Sequence, residues 1–187
     1  MTCIDQNAFG VLLSFHDIEN AEYSLGPEEF VERFEHFRTT ALAHARAKPL
    51  ASGVSAIDLG HALYFEFEDG DQLLDPMTWL RELHKALTAE DFAVVAVLSH
   101  GGRWVDVEGA IARQPDTELA FVRVTRPSEA LRRALYADTA SHGTDGEDGW
   151  GPGVFVDEDA VSALKRAFKN APTALRVAGA TFFRIGG

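Results

Sequence analysis

Apolar and polar residues alternate through FGVLLSFH, residues 9–16, where Phe9, Val11, Leu13 and Phe15 are separated by smaller or polar positions. A period of two predicts a strand with one buried face. The pattern changes at GPEEFVERFEHF. Pro27 suits a first helical turn, and Glu28 and Glu29 suit the positive end of a helix dipole. Phe30, Phe34, Phe37 and Ala41 recur at i, i+4, i+7 and i+11, which predicts one buried stripe, and Pro49 ends that region.

VSAIDL and HALYFEFED read as two closely joined strands, the second alternating Leu63, Phe65 and Phe67 against Tyr64, Glu66 and Glu68. DQLLDPMTWLRELHKAL reads as a second helix with Leu73, Met77, Leu80 and Leu87 inward. Pro76 moves its start to near Asp75. In FAVVAVLSHGGRWVDVEG two β-rich runs flank Gly101-Gly102, a pair that tolerates positive φ and predicts a hairpin. TELAFVRVT is a further strand and PSEALRRALYADT a further helix. Residues 138–153, DTASHGTDGEDGWGPG, form a long acidic, Gly-rich loop whose length predicts a mobile flap. GVFV is a short strand, Asp157 an N-cap for EDAVSALKRAFKN, and TALRVAGATFFRIG two apolar runs split at Gly179.

The element order is therefore β α β β α β β β α β α β β. Hairpin-joined strands outnumber helices, which predicts an α/β (α+β) sandwich on a mixed, largely antiparallel sheet. A ferredoxin-like βαββαβ core with a C-terminal αβ extension fits best.

Composition narrows the picture without naming a function. A chain of 187 residues predicts a single domain, and at that length folding buries roughly 70% of the unfolded surface without needing a disulfide or structural metal. Hydrophobic residues make up 46% of the chain, with thirteen Phe. A net charge of −12 argues against nucleic-acid or anionic-membrane partners, which need a basic face. Cys3 is the single cysteine, the first residues MTCIDQNAFG lack a signal-peptide pattern, and FAVVAVL is too short to span a bilayer. A soluble, cytoplasmic protein is expected.

Candidate chemistry gathers at strand ends. The first strand delivers His16 and Asp17, then Ile18; Gly60-His61 opens the third. In a βαββαβ core these two strands are adjacent and antiparallel, which brings Asp17 near His61. A carboxylate and an imidazole there could hold a divalent ion, though two ligands alone bind weakly.

Here the chain resembles the catalytic homology domain of the class III nucleotidyl cyclases. DIEN at Asp17 to Asn20 is similar to the family's Asp-Ile turn, and LGHALYFEF to its Gly-Asp-Ala-Leu strand. SHGGRWV, with His100, Gly102 and Arg103, is similar to its His-Thr-Gly segment. PGVFVDEDAVSALKRAF with LRVAGATFFRI resembles its closing strand, helix and hairpin. The resemblance spans nearly the whole chain through order and spacing rather than any single motif. It implies a nucleotide partner held through Asp17 and Ile18, with Arg103 at phosphate, Mg²⁺ or Mn²⁺ as the metal, and a head-to-tail homodimer or a cyclase-type partner domain. In the family two aspartates clamp two metal ions for an in-line displacement at the α-phosphate.

Departures from the family's pattern set the functional expectation. Asp17 matches the first metal aspartate, but the second falls on His61, a poorer donor for Mg²⁺ than for Mn²⁺ or Zn²⁺. The base-recognising lysine falls on Ile57. The ribose-orienting asparagine falls on Thr125 and the charge-stabilising arginine near Glu129, with Arg126, Arg132 and Arg133 close by. Each such group is typically worth roughly 10²-fold or more in rate. The expectation is a degenerate, non-catalytic cyclase-like domain that regulates through nucleotide or partner binding. The alternatives are a Mn²⁺-dependent cyclase with an Asp17/His61 pair, and a ligand-free interaction module of ferredoxin-like fold.

Each candidate also has a plain structural reading. Asp17 can cap a turn, His61 can stand at a surface strand entry, and His100 can be a hairpin residue. Arg103 and Trp104 can be cross-strand packing partners, and His44 and His84 can border the core at helix ends. TDGEDG lacks calcium-loop spacing, and Ser141-His142 near Asp145 has no nucleophile elbow.

Overall fold

The computed structural model describes residues 4–16, 21, 23–47, 55–59, 62–68, 76–105, 130–135, 137, 151–164 and 174–185. In chain order these give β1 (Ile4–Phe15), α1 (Pro27–Ala47), β2 (Ser55–Asp58), β3 (Ala62–Glu68), α2 (Pro76–Ala89) and β4 (Val94–Val105). Helical residues 130–135, here α3, follow. Then come β5 (Gly153–Asp157), α4 (Glu158–Ala163), β6 (Ala174–Val177) and β7 (Ala180–Ile185). The strands form one seven-stranded sheet in the order β2-β3-β1-β4-β5-β7-β6. Only the β4–β5 pairing is parallel among these neighbours. The first four strands, with α1 and α2, are the ferredoxin-like unit, and β5 to β7 with α4 extend it.

Alternation assigns the two faces. Phe9, Val11, Leu13 and Phe15 of β1 share a face with Leu63 and Phe65 of β3 and with Val94, Ala96 and Leu98 of β4. On that face lie Phe37, Ala41 and Ala45 of α1 and Met77, Trp79, Leu80, Leu83 and Leu87 of α2, all buried. Burying such side chains contributes roughly 1.5–3 kcal/mol each. Aromatic rings anchor the layer: Phe15 packs on Phe37 at 4.4 Å between centroids, and Phe65 meets Trp79 edge-on at 5.4 Å. The opposite face carries Leu12, Ala62, Tyr64, Val95, Val97, Phe155 and Phe182, covered by Leu131 and Leu135 of α3.

Three local features differ from the reading of the sequence. Gly101-Gly102 makes no hairpin: β4 runs unbroken through both, with Gly101 opposite Ala8 and Gly102 opposite Asn7. The reason is the partner strand, since β1 begins at Ile4 and supplies a ladder for the whole run. His100 is accordingly a strand residue, its ring tilted against that of Phe9 at 4.8 Å between centroids. Phe30 and Phe34 are half-buried rather than buried, unlike Phe37 and Ala41 further along the same stripe. Leu73, the strand expected at 117–125 and the body of the acidic loop lie outside the described residues.

Both proline-initiated helices start at their prolines, and Asp157 is an N-cap: its Oδ1 accepts from the Ala160 N–H at 2.7 Å. The final two runs form a hairpin turning on Ala178 and Gly179, both at positive φ (51° and 82°). Among the described residues no helix is long and apolar enough to cross a membrane.

Candidate functional site

The site to which the sequence points is the edge where β1 ends and β3 begins. Their antiparallel ladder closes with Ser14 opposite Ala62. At that end Phe15 and His16 are buried at 5% exposure, and the His16 N–H donates to the Ala93 carbonyl at 2.9 Å. The last turn of β1 is thus tied to β4 as well as to β3. Asp17 and Ile18 follow directly in the chain, and His61 directly precedes Ala62; all three lie outside the described residues.

Arg103 is placed differently. Its backbone pairs with Gln6, near the start of β1. From Gln6 to Phe15 the strand covers roughly 30 Å at about 3.3 Å per residue. Within one chain, Arg103 does not stand with the end of β1. Trp104 pairs with Asp5 in the same backbone ladder.

Ile57 is the informative position. It pairs with Tyr64 across the β2–β3 ladder, and its half-buried side chain packs against the apolar cluster of the second face. Where the resemblance expects a cation for base recognition, the chain builds an apolar contact. The neighbouring carboxylate, Asp58, is within reach of the β2–β3 connection but receives the Arg38 Nε at 3.2 Å.

Two polar features of the second face were not evident from the sequence. Tyr64 and Glu66 are both buried, and the Tyr64 hydroxyl donates to the Glu66 Oε2 at 2.8 Å. Ser99 Oγ donates to Asp157 Oδ2, which joins β4 to the cap of α4. Alternation in HALYFEFED shows that Tyr64 and Glu66 share a face, but not that α3 and the extension close over it. Of the three arginines near the expected charge-stabilising position, Arg132 is 2% exposed on α3, Arg133 is exposed and Arg126 lies outside the described residues.

Among the described residues no three of His, Cys, Asp or Glu come together as a metal-binding group. The donors that the sequence offers are one carboxylate, Asp17, and one imidazole, His61. That set falls short of a two-carboxylate site for hard cations and suits Mn²⁺ or Zn²⁺ better than Mg²⁺.

No protein-family model matches the chain, and no curated protein matches it in sequence. Solved structures do match in fold. A monomeric guanylyl cyclase domain of the RhoGC fusion protein from the aquatic fungus Blastocladiella emersonii, a double mutant, superposes with a TM-score of 0.63 at 10% identity. It matches over 100% of this chain and 98% of the other. The fold is that of a nucleotidyl cyclase catalytic domain. The adenylyl cyclase CyaB from P. aeruginosa gives a TM-score of 0.56 at 9% identity, over 100% of this chain and 97% of that one. The catalytic core of a rhodopsin-guanylyl cyclase with converted specificity, in complex with ATPαS, gives 0.61 at 8% identity over 98% of both chains. Likeness at this identity establishes the cyclase-domain architecture, and function has to come from the residues.

Proposed function

We propose that this chain is a cyclase-fold domain that has lost catalysis and acts in regulation, through a bound nucleotide or a partner domain. The observation that carries the reading is Ile57. At the position where a cyclase would read the base with a lysine, the side chain packs into the second-face apolar cluster. His61 in place of the second metal aspartate points the same way. Removal of a metal carboxylate takes electrostatic stabilisation from the transferring phosphate, and such groups are worth roughly 10²–10³-fold in rate.

Support for a retained nucleotide site is geometric. Up to Phe15 and Leu63, odd-numbered residues of β1 and β3 share the helix-covered face. Asp17 lies two residues after Phe15 in the chain, and His61 two residues before Leu63. In the reading put forward here they contact a metal-bound phosphate together, with Ile18 offering backbone contacts. Their donor set favours Mn²⁺, and no bond-making step is routed through it. Arg103, roughly 30 Å along β1 from its C-terminal end, would serve only a second copy or a partner domain arranged head-to-tail.

One observation favours the catalytic alternative. Arg132 is buried on α3, next in sequence to Leu131, which packs on the sheet's second face. A Mn²⁺-dependent cyclase would use Arg132 to stabilise developing negative charge.

Thermal unfolding with ATP or GTP, each with and without Mn²⁺, tests the nucleotide site. Ligand at about a hundred times its dissociation constant adds roughly 2.7 kcal/mol, which should raise the midpoint by roughly 5 to 10 °C. The expected shift requires both nucleotide and metal and disappears in Asp17→Ala. No shift with either nucleotide would remove the nucleotide and leave partner binding alone.

A further inference from the structure

Between the end of β1, the first turns of α1 and the turn that leads from α2 into β4 lies a cavity of about 340 Å³. Its floor is apolar: Phe15 is buried, and Leu25, Phe30 and Phe34 are half-buried. Its mouth is polar, formed by Ser24, Arg33 and Asp91, all exposed. Ligand cavities begin at roughly 300 Å³, so this one has room for a small metabolite.

Backbone hydrogen bonds fix the mouth. α2 ends in a turn in which the Asp91 N–H donates to the Thr88 carbonyl and the Phe92 N–H to the Leu87 carbonyl, both at 3.1 Å. Asp91 takes φ 62° there, a left-handed conformation that glycine or asparagine usually supplies at a helix end. The Arg33 Nη2 donates to the Asp91 carbonyl at 2.8 Å, and the Arg33 guanidinium carbon lies 5.2 Å from the centroid of the Phe92 ring. A guanidinium and a carboxylate-bearing residue are thus anchored together at the rim of an aromatic recess. Among the described residues, neither the Asp91 carboxylate nor the Ser24 hydroxyl has a hydrogen-bond or ion-pair partner, and Arg33 has donors beyond its one bond to Asp91.

Charge selects the occupant. A simple anion would pair with Arg33 but meet the Asp91 carboxylate and the field of a chain whose net charge is −12. A simple cation would pair with Asp91 but meet the guanidinium. An apolar molecule would fill the floor and take water from the rim charges without replacing it. A zwitterion with an apolar tail satisfies every lining group, because each rim charge gains a charge-assisted hydrogen bond and the tail meets the phenylalanines.

We infer that the cavity between β1, α1 and the α2–β4 turn is a binding site for a free α-amino acid with a large apolar side chain. The carboxylate of the ligand accepts from the remaining Arg33 N–H groups and the Ser24 hydroxyl. Its ammonium donates to the Asp91 carboxylate, and its side chain enters the recess against Phe15, Phe30 and Phe34. Neither Asp17 nor His61 takes part, so amino-acid binding is separate from the nucleotide reading.

Isothermal titration of the full chain with L-leucine and L-phenylalanine tests it. One molecule of either should bind per chain. N-acetyl-leucine lacks the ammonium and leucinol the carboxylate, and each should bind at least about tenfold more weakly, the usual effect of losing a charge-assisted hydrogen bond. Glycine, with no tail for the recess, should give no measurable heat. Arg33→Gln and Asp91→Asn should each weaken leucine binding by about tenfold. Asparagine keeps the left-handed turn, and unchanged unfolding midpoints without ligand would show that both variants fold. The inference is overturned if neither amino acid binds, if N-acetyl-leucine and leucinol or glycine bind as leucine does, or if both variants bind leucine as the parent does.

Discussion

The ring of Tyr64 lies directly over Gly10 on the adjacent strand. A Cβ at Gly10 would come within 2.9 Å of both the ring and the hydroxyl. That hydroxyl donates in turn to the buried carboxylate of Glu66. Glycine is therefore required at position 10 for close approach, because any side chain would displace the ring and its hydrogen bond. Gly10→Ala is expected to destabilise the protein by about 1–3 kcal/mol, as overpacking does. Urea unfolding measures this, and a Gly10→Ala, Tyr64→Leu double variant should lose less than the sum of the single changes.

Asp157 uses both carboxylate oxygens, one on the Ala160 N–H and the other on the Ser99 hydroxyl. Asp157→Ala should remove the cap, worth about 0.5–2 kcal/mol, and leave the buried Ser99 hydroxyl without that acceptor. Asp157→Asn keeps an oxygen acceptor for the cap and should cost less. Equilibrium unfolding of the two variants orders them; equal losses would show that the cap is not the dominant contribution.

Ala178 adopts φ 51° ahead of Gly179 at φ 82° in the β6–β7 turn. A two-residue hairpin with positive φ at both positions favours asparagine followed by glycine. Ala178→Asn is expected to raise stability by about 0.5–1 kcal/mol, read as a higher denaturant midpoint at unchanged slope. The same change with a lower midpoint would contradict the turn geometry.

His84 has its pKa held below the usual histidine value, first by burial and then by the Arg184 guanidinium. The folded protein therefore resists a proton that the unfolded chain accepts near pH 6.5. Stability is full above about pH 6.5 and falls as pH drops from there toward the lowered folded value. His84→Gln should reduce the slope of unfolding free energy against pH in that window. An unchanged slope would assign the acid sensitivity to other groups.

Much of this architecture could be read from spacing alone. The alternation in FGVLLSFH and LYFEF identifies the helix-covered face, and Pro27, Pro76 and Asp157 mark helix starts where the structure has them. Gly101-Gly102 misled because turn preference is local, whereas β1 offers a partner strand from Ile4 onward and tertiary pairing prevails. The α1 stripe shows which side of the helix is apolar, but not where full burial ends, so Phe30 and Phe34 are expected buried and found half-buried. Tyr64, Glu66 and Ser99 gave no signal of burial, since what covers them is distant in sequence. At the candidate site, Ile57 was readable as a missing cation, and the structure adds what it does instead.

The most direct test is cyclic nucleotide formation by the purified full chain, given ATP or GTP with Mn²⁺ and compared with an Asp17→Ala, His61→Ala double variant. Product no higher than that of the double variant is the expected result for a domain that has lost catalysis. Turnover that depends on Asp17 and His61 would contradict it and establish a Mn²⁺-dependent cyclase.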